Sequence, residues 1–266
     1  MSDVRFAVLG PVGARHPGGT LIKVTGPTAL TLLAGLLISA NRVVPSETLI
    51  AWAWPARRPD DPKGALQNAL CRVRKLIGWD SITTTAWGYM LRVDDDKLDL
   101  LKFRALTSAS AQAIAAGAPA SALTLLDEAI GLWHRPVLAN ITSEVLIRDA
   151  LPHLTQQYLT AIEQRAALRL TLRRPAGVPE ELAELVREHP FRETLVGHLM
   201  VALCQTGRRS EALTAFHELR IALSSELGIA PSLALQGLYG TLVQDAPMFD
   251  RWLSAGRSWA DRPSPA

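Results

Sequence analysis

A mainly α fold with small β elements is predicted, with an N-terminal winged helix-turn-helix followed by an all-α, tetratricopeptide-like repeat domain. Three observations predict it. A basic amphipathic helix from Ala65 to Ile77 runs directly into a short hairpin rich in threonine and aromatic residues. Two short strands and two helices are readable ahead of it. From about Leu98 the apolar spacing is wholly helical and recurs with an internal period.

In chain order, Val4 to Leu9 and Leu21 to Val24 read as strands around a glycine-rich turn, His16-Pro17-Gly18-Gly19, and Gly10-Pro11-Val12-Gly13 reads as a further turn. A first helix is expected from Pro27 to Ala40, because Leu30, Leu33, Ala34, Leu37 and Ile38 recur at helical spacing. Val43-Val44 follows as a short extended piece. Pro45-Ser46-Glu47-Thr48 then opens a second helix carrying Leu49, Ile50 and Trp52 to about Trp54, where Pro55 and Pro59 break it. In the third helix Leu66, Leu70, Val73 and Ile77 form the apolar stripe, with Asp60 or Asp61 and Pro62 as the start and Gly78 as the stop. Ser81 to Thr85, the turn Ala86-Trp87-Gly88, and Tyr89 to Val93 make the hairpin.

The helices expected beyond are Leu101 to Ala116, Pro119 to Leu132, Ser143 to Leu172, Pro179 to His189, Phe191 to Thr206, Ser210 to Leu227 and Ser232 to Gln244. Ala212 and Phe216 have the small-then-aromatic spacing of the second helix of a tetratricopeptide unit. Leu199 and Leu203 fit its first helix, Gly207 its turn and Pro190 the end of the unit before. The boundaries drawn from this pattern are 1–97, 98–246 and a tail at 247–266, where Pro263 and Pro265 among scattered Trp and Ser predict poor order.

Composition narrows the function. With 48% hydrophobic and 20% charged residues, 266 residues suffice for two globular cores. The formal net charge of +3 is unevenly spread: up to Lys102 there are 13 Lys and Arg against 9 Asp and Glu, and beyond it 15 against 16. The basic part is therefore N-terminal, as a nucleic-acid partner requires. Opposite the apolar stripe of the third helix stand Gln67, Asn68, Cys71, Arg72 and Lys75, with Arg74 at the border and Lys63 before the first turn. Arg and Lys bind phosphates and guanine edges, while Gln and Asn match adenine edges. Taken alone, such a face reads first as solvated surface; the hairpin directly behind it shifts the reading to DNA, with the helix in the major groove and the ribbon at the next groove.

The DNA-facing set is then Lys63, Gln67, Asn68, Arg72, Arg74, Lys75 and, from the wing, Thr84, Thr85 and Trp87. Trp87 has two readings, of which the favoured one folds it back over Trp79 or Tyr89, and the other puts it on sugar or minor groove. Tyr89 reads as core.

Catalytic motifs are absent: there is no G-x-S-x-G, G-x-x-x-x-G-K-[ST] or H-E-x-x-H, and no Cys pair at metal-ligand spacing. No enzyme activity, cofactor or metal is expected. Asp94-Asp95-Asp96 reads as a solvated loop. Cys71 and Cys204 are too far apart in pattern to predict a disulfide, and with no leader and no membrane span evident the expected location is cytoplasmic.

The residues also carry a resemblance. Val8-Leu9-Gly10-Pro11, Ala40-Asn41-Arg42-Val43-Val44, Trp54-Pro55, Ala65-Leu66-Gln67-Asn68, Arg72 to Gly78, Gly88-Tyr89 and Leu98-Asp99-Leu100 with Phe103 resemble the Streptomyces antibiotic regulatory proteins. Leu132-Trp133, Glu188 to Glu193, Gly207-Arg208 with Glu211-Ala212-Leu213, and Glu226 to Ser232 continue the match in order. The resemblance implies an OmpR-type winged helix joined to a bacterial transcriptional activation domain, in the small form without an appended ATPase. It also implies a pathway-specific activator of secondary-metabolite genes. Such activators bind direct repeats in double-stranded promoter DNA as a head-to-tail pair and recruit RNA polymerase through its sigma factor. Three departures predict a thinner DNA face: Thr28-Ala29-Leu30-Thr31 where relatives carry Arg, Thr84 to Trp87 where the wing usually has Arg or Pro, and Gly64, expected to loosen the start of the third helix. They leave open an adaptor or sensor whose winged domain has lost DNA binding.

Overall fold

Three antiparallel strands open the chain, where the sequence predicts two. β1 (Arg5–Ala7), β2 (Gly13–Arg15) and β3 (Leu21–Ile22) pair in the order β1-β2-β3, with Phe6 opposite Ala14 and Ala14 opposite Ile22. β2 falls partly inside the segment read as a turn. Three residues are too few to show alternation beside Gly10 and Pro11, yet Ala14 is fully buried between its neighbours. The computed structural model describes residues 4–244, so the tail expected at 247–266 lies outside the described residues.

The chain divides into two compact units, Met1–Gln112 with Leu125–Leu159, and Ala113–Thr124 with Thr160–Ala266. In the first unit α1 (Pro27–Ile38) begins with proline at its first turn and buries Leu32, Leu33, Leu36 and Leu37. β4 (Val44–Pro45) leads into α2 (Ser46–Ala53), which buries Leu49 and Ile50. Gly35 of α1 meets Trp52 of α2 so closely that a Cβ would lie 2.5 Å from the indole ring. α3 (Pro62–Ile77) is followed by a short 3-10 turn and then by β5 (Ile82–Thr84) and β6 (Gly88–Leu91). β6 lies between β4 and β5, with Val44 opposite Tyr89 and Thr84 also opposite Tyr89.

Residues after Leu98 also serve this unit. α4 (Asp99–Ala115) starts beside β1: Phe6 N–H donates to the Lys97 carbonyl at 2.7 Å. The Asp99 carboxylate accepts from the amides of Val8 at 2.9 and 3.0 Å, Leu9 at 3.0 Å and Leu100 at 2.7 Å. Asn140 exchanges side-chain hydrogen bonds with the Val12 amide and carbonyl, and Ser143 Oγ donates to the Trp52 carbonyl at 2.6 Å.

α5 (Pro119–Gly131) and α6 (Glu144–Thr171) contribute residues to both units. The second unit adds α7 (Val178–Glu188), α8 (Glu193–Gln205), α9 (Arg209–Ala222) and α10 (Leu233–Val243). α8 is apolar on nearly all sides and buried, and α9 buries Ala212 and Phe216, the latter stacked on Tyr239 at 4.2 Å. Gly207 turns between them with φ 77, a left-handed conformation that favours glycine. The sequence predicts one helix from Ser210 to Leu227. Instead α9 widens to a π turn at Leu223–Leu227, closed by Gly228 with φ 67 and by the Ile229 amide on the Leu223 carbonyl at 3.3 Å. The helical period alone does not distinguish these two windings.

His198 is buried on α8, and burial pushes its pKa down to about 4, against the partial opposition of the Glu163 charge. Its folded pKa lies below the ordinary 6.5, so as pH falls the unfolded chain takes up this proton first. The stability linked to neutral His198 is whole above pH 6.5 and is lost as pH falls toward about 4. His198→Gln is expected to flatten that stretch of the pH profile, read as urea midpoints across the same range. An unchanged slope would remove His198 as the cause.

Candidate nucleic-acid interface

α3 begins as its sequence requires. Asp61 is the N-cap, its Oδ1 accepting from the Gly64 amide at 2.9 Å, and Pro62 occupies the first turn. Gly64 therefore does not loosen this end as predicted. It sits against the capping carboxylate, where a Cβ would lie 2.2 Å from Asp61 Oδ2. Leu66, Ala69, Leu70, Val73 and Ile77 face the core. Lys63, Gln67, Asn68, Arg72 and Lys75 are all exposed, and Cys71 is half-buried among them. From Lys63 to Lys75 the face runs about 18 Å along the axis.

No acidic residue lies within α3, and among the described residues no carboxylate is within ion-pair distance of Lys63, Arg72 or Lys75. A merely solvated helix face commonly intersperses both signs, which this one does not.

Arg74 joins this helix to the hairpin. Its Nε and Nη2 donate to the Ile82 carbonyl at 3.2 and 2.8 Å, and Nη2 also to Thr84 Oγ1 at 2.9 Å. The guanidinium lies 5.9 Å from the centre of the Tyr89 ring, which is buried as expected. Two of its three nitrogens are thus committed within the protein. Thr85 is half-buried: its hydroxyl donates to the Gly88 carbonyl at 3.1 Å and accepts from the Trp87 and Gly88 amides at 3.3 and 3.1 Å, shaping the turn. Thr84 is exposed. Trp87 is 82% exposed and does not fold back over Trp79 or Tyr89 as favoured from sequence; Trp79 is itself 57% exposed. A three-residue loop closed by Thr85 leaves an indole at its tip no neighbouring surface to cover.

Sequence reasoning passed over Arg57 and Arg58, both exposed in the loop before α3. Arg58 pairs with Glu47 at 3.2 Å, and Arg57 has no ion-pair partner among the described residues. Two adjacent arginines ahead of a basic helix were the available signal. Asp94 pairs with Lys97 at 3.3 Å rather than being simply solvated. The cysteines are free. Among the described residues there is no group of side chains able to hold a metal ion and no helix long and apolar enough to cross a membrane.

The comparisons agree with this architecture. A family model described as the bacterial transcriptional activator domain matches residues 98–243. The regulatory protein DnrI of Streptomyces peucetius is 31% identical, over 93% of this chain and 95% of DnrI. The regulatory protein AfsR of Streptomyces griseus is 33% identical over 86% of this chain, which spans only 23% of AfsR. The solved structure of Mycobacterium tuberculosis EmbR in complex with a low affinity phosphopeptide superimposes with a TM-score of 0.85 at 26% identity, over 96% of this chain and 69% of EmbR. This chain belongs to the Streptomyces antibiotic regulatory protein family, a family of DNA-binding transcriptional regulators rather than enzymes.

Proposed function

We propose that the chain is a cytoplasmic, sequence-specific activator that binds direct repeats in promoter DNA upstream of a secondary-metabolite gene cluster. One observation carries this reading: the exposed, acid-free face of α3, bound through Arg74 to the wing. In it Gln67, Asn68 and Arg72 meet base edges in the major groove, and Lys63, Lys75 and Thr84 meet the backbone. Trp87 reaches sugar or the minor groove. Arg74 and Thr85 contribute mainly by holding the wing, with Arg74 Nη1 left for a phosphate. Residues 1–97 act as the DNA-binding domain. Residues 98–246 act as the activation domain, contacting the sigma factor of RNA polymerase, with two protomers head to tail on the repeat.

Footprinting and gel shifts on DNA upstream of the genes adjacent to its own test the proposal. With about five phosphates neutralised, log affinity is expected to fall against log salt with a slope of about −4 to −5. Arg72→Ala is expected to cost about 1–3 kcal/mol and to relax specificity at one position, whereas Lys75→Ala weakens all sequences alike. An unchanged footprint for Arg72→Ala removes its base-reading role. Absence of any shift at low salt would favour the adaptor reading.

A further inference from the structure

The first unit contains a cavity of about 760 Å³, within the size range of small-molecule sites. Arg42, Arg104, His153 and Gln157 line it together with Trp52, Leu101 and Leu154, and no residue of α3 or the wing does. Arg104 is half-buried on α4, its Nε donating to Gln157 Oε1 at 2.9 Å. Burial, and then the Arg42 charge, push its guanidinium below the ordinary arginine range.

Among the described residues neither arginine has an ion-pair partner. The lining carboxylate, Asp149, already accepts from Trp52 Nε1 at 2.9 Å and from the Arg148 guanidinium at 3.3 Å. With Asp149 engaged elsewhere, the half-buried Arg104 guanidinium lies beside the exposed Arg42 with no carboxylate among the described residues paired to either, and an anion at the cavity would complete both. The planar fork of arginine matches phosphate and carboxylate oxygens.

We propose that this cavity binds a small organic anion, a phosphate or carboxylate on an apolar body, with Arg104 and Arg42 holding the anionic group and Trp52, Leu101 and Leu154 holding the body. Asn41, which also lines it, exchanges hydrogen bonds with the backbone of Val93 at 2.9 and 3.0 Å, so the site adjoins the base of the wing.

Phenyl phosphate titrated calorimetrically into the full chain is the test, with phenol and inorganic phosphate as its two halves. Saturable binding of phenyl phosphate is expected, weaker for either half alone. Affinity should fall about tenfold or more in Arg104→Gln, and less in Arg42→Gln, because Arg104 is the more desolvated of the two. Arg104→Lys, which keeps the charge and loses the fork, should bind with intermediate affinity and serves if the glutamine variant does not fold. No saturable heat with phenyl phosphate, or equal affinity in all three variants and the parent, overturns the proposal. So does a result in which Arg104→Gln weakens promoter DNA binding and leaves phenyl phosphate binding intact, since the pair would then answer a DNA phosphate.

Discussion

Asp99→Ala is expected to lower folding stability by about 3 kcal/mol, measured as the guanidinium unfolding free energy at neutral pH. The carboxylate receives three backbone amides, those of Val8, Leu9 and Leu100, and so links the end of β1 to the first turn of α4. Alanine leaves all three partly buried donors without this acceptor. The loss is less than the sum of three such penalties. Burial outweighs the amides and raises the Asp99 carboxyl above its ordinary 3.8, so ionisation itself carries a desolvation cost that alanine removes. Asp99→Asn should fall between parent and alanine, because one oxygen remains while the amide nitrogen faces a donor. A loss below about 1 kcal/mol for alanine would show that water replaces the carboxylate at this junction.

Gly88→Ala is the second large effect, expected to cost about 3 kcal/mol or more and to weaken promoter binding through loss of wing geometry. An added Cβ would meet the Val44 carbonyl oxygen at 2.0 Å, the Val44 carbonyl carbon at 2.8 Å and Pro45 Cα at 2.9 Å. All three atoms are backbone of the strand paired with β6, so the clash is relieved only by opening the β4–β6 ladder. Gly64→Ala is the internal control. Its clash is with the end of a flexible carboxylate, and alanine's helix propensity, about 1 kcal/mol better than glycine's, offsets a weakened cap. Thermal midpoints of the two variants should therefore separate widely, and similar midpoints would refute the packing argument at Gly88.

The helical elements were the legible part of the sequence, for a physical reason. Pro119 to Leu132 and Ser143 to Leu172 each span enough turns for apolar residues to mark a face, and the helices end within two residues of those bounds. The α3 stripe and its exposed cations followed from the same period. β2 was not legible because three residues hold little more than one alternation, and the π turn after α9 changes winding without changing composition.

The site divides in the same way. Which side of α3 carries Gln67, Asn68 and Arg72 depends only on local geometry. Whether Arg74 faces DNA or the hairpin depends on acceptors at Ile82 and Thr84, and on an aromatic ring at Tyr89, whose positions exist only after β5 and β6 pair. For Trp87 apolarity argues for cover, while a tip closed by Thr85 offers none. The Asp99 junction spans about ninety positions in sequence, beyond any local pattern.

The Arg74 fork has a consequence for how an operator is discriminated. Bound to two acceptors on β5 and resting by Tyr89, it makes the reading helix and the ribbon a single template of set span. Such a template has little freedom to follow DNA whose adjacent grooves are unusually wide or narrow, so misfit is absorbed by bending the duplex. Base pairs that no side chain touches then enter the affinity through their stiffness, and operators with identical contacted bases rank by deformability.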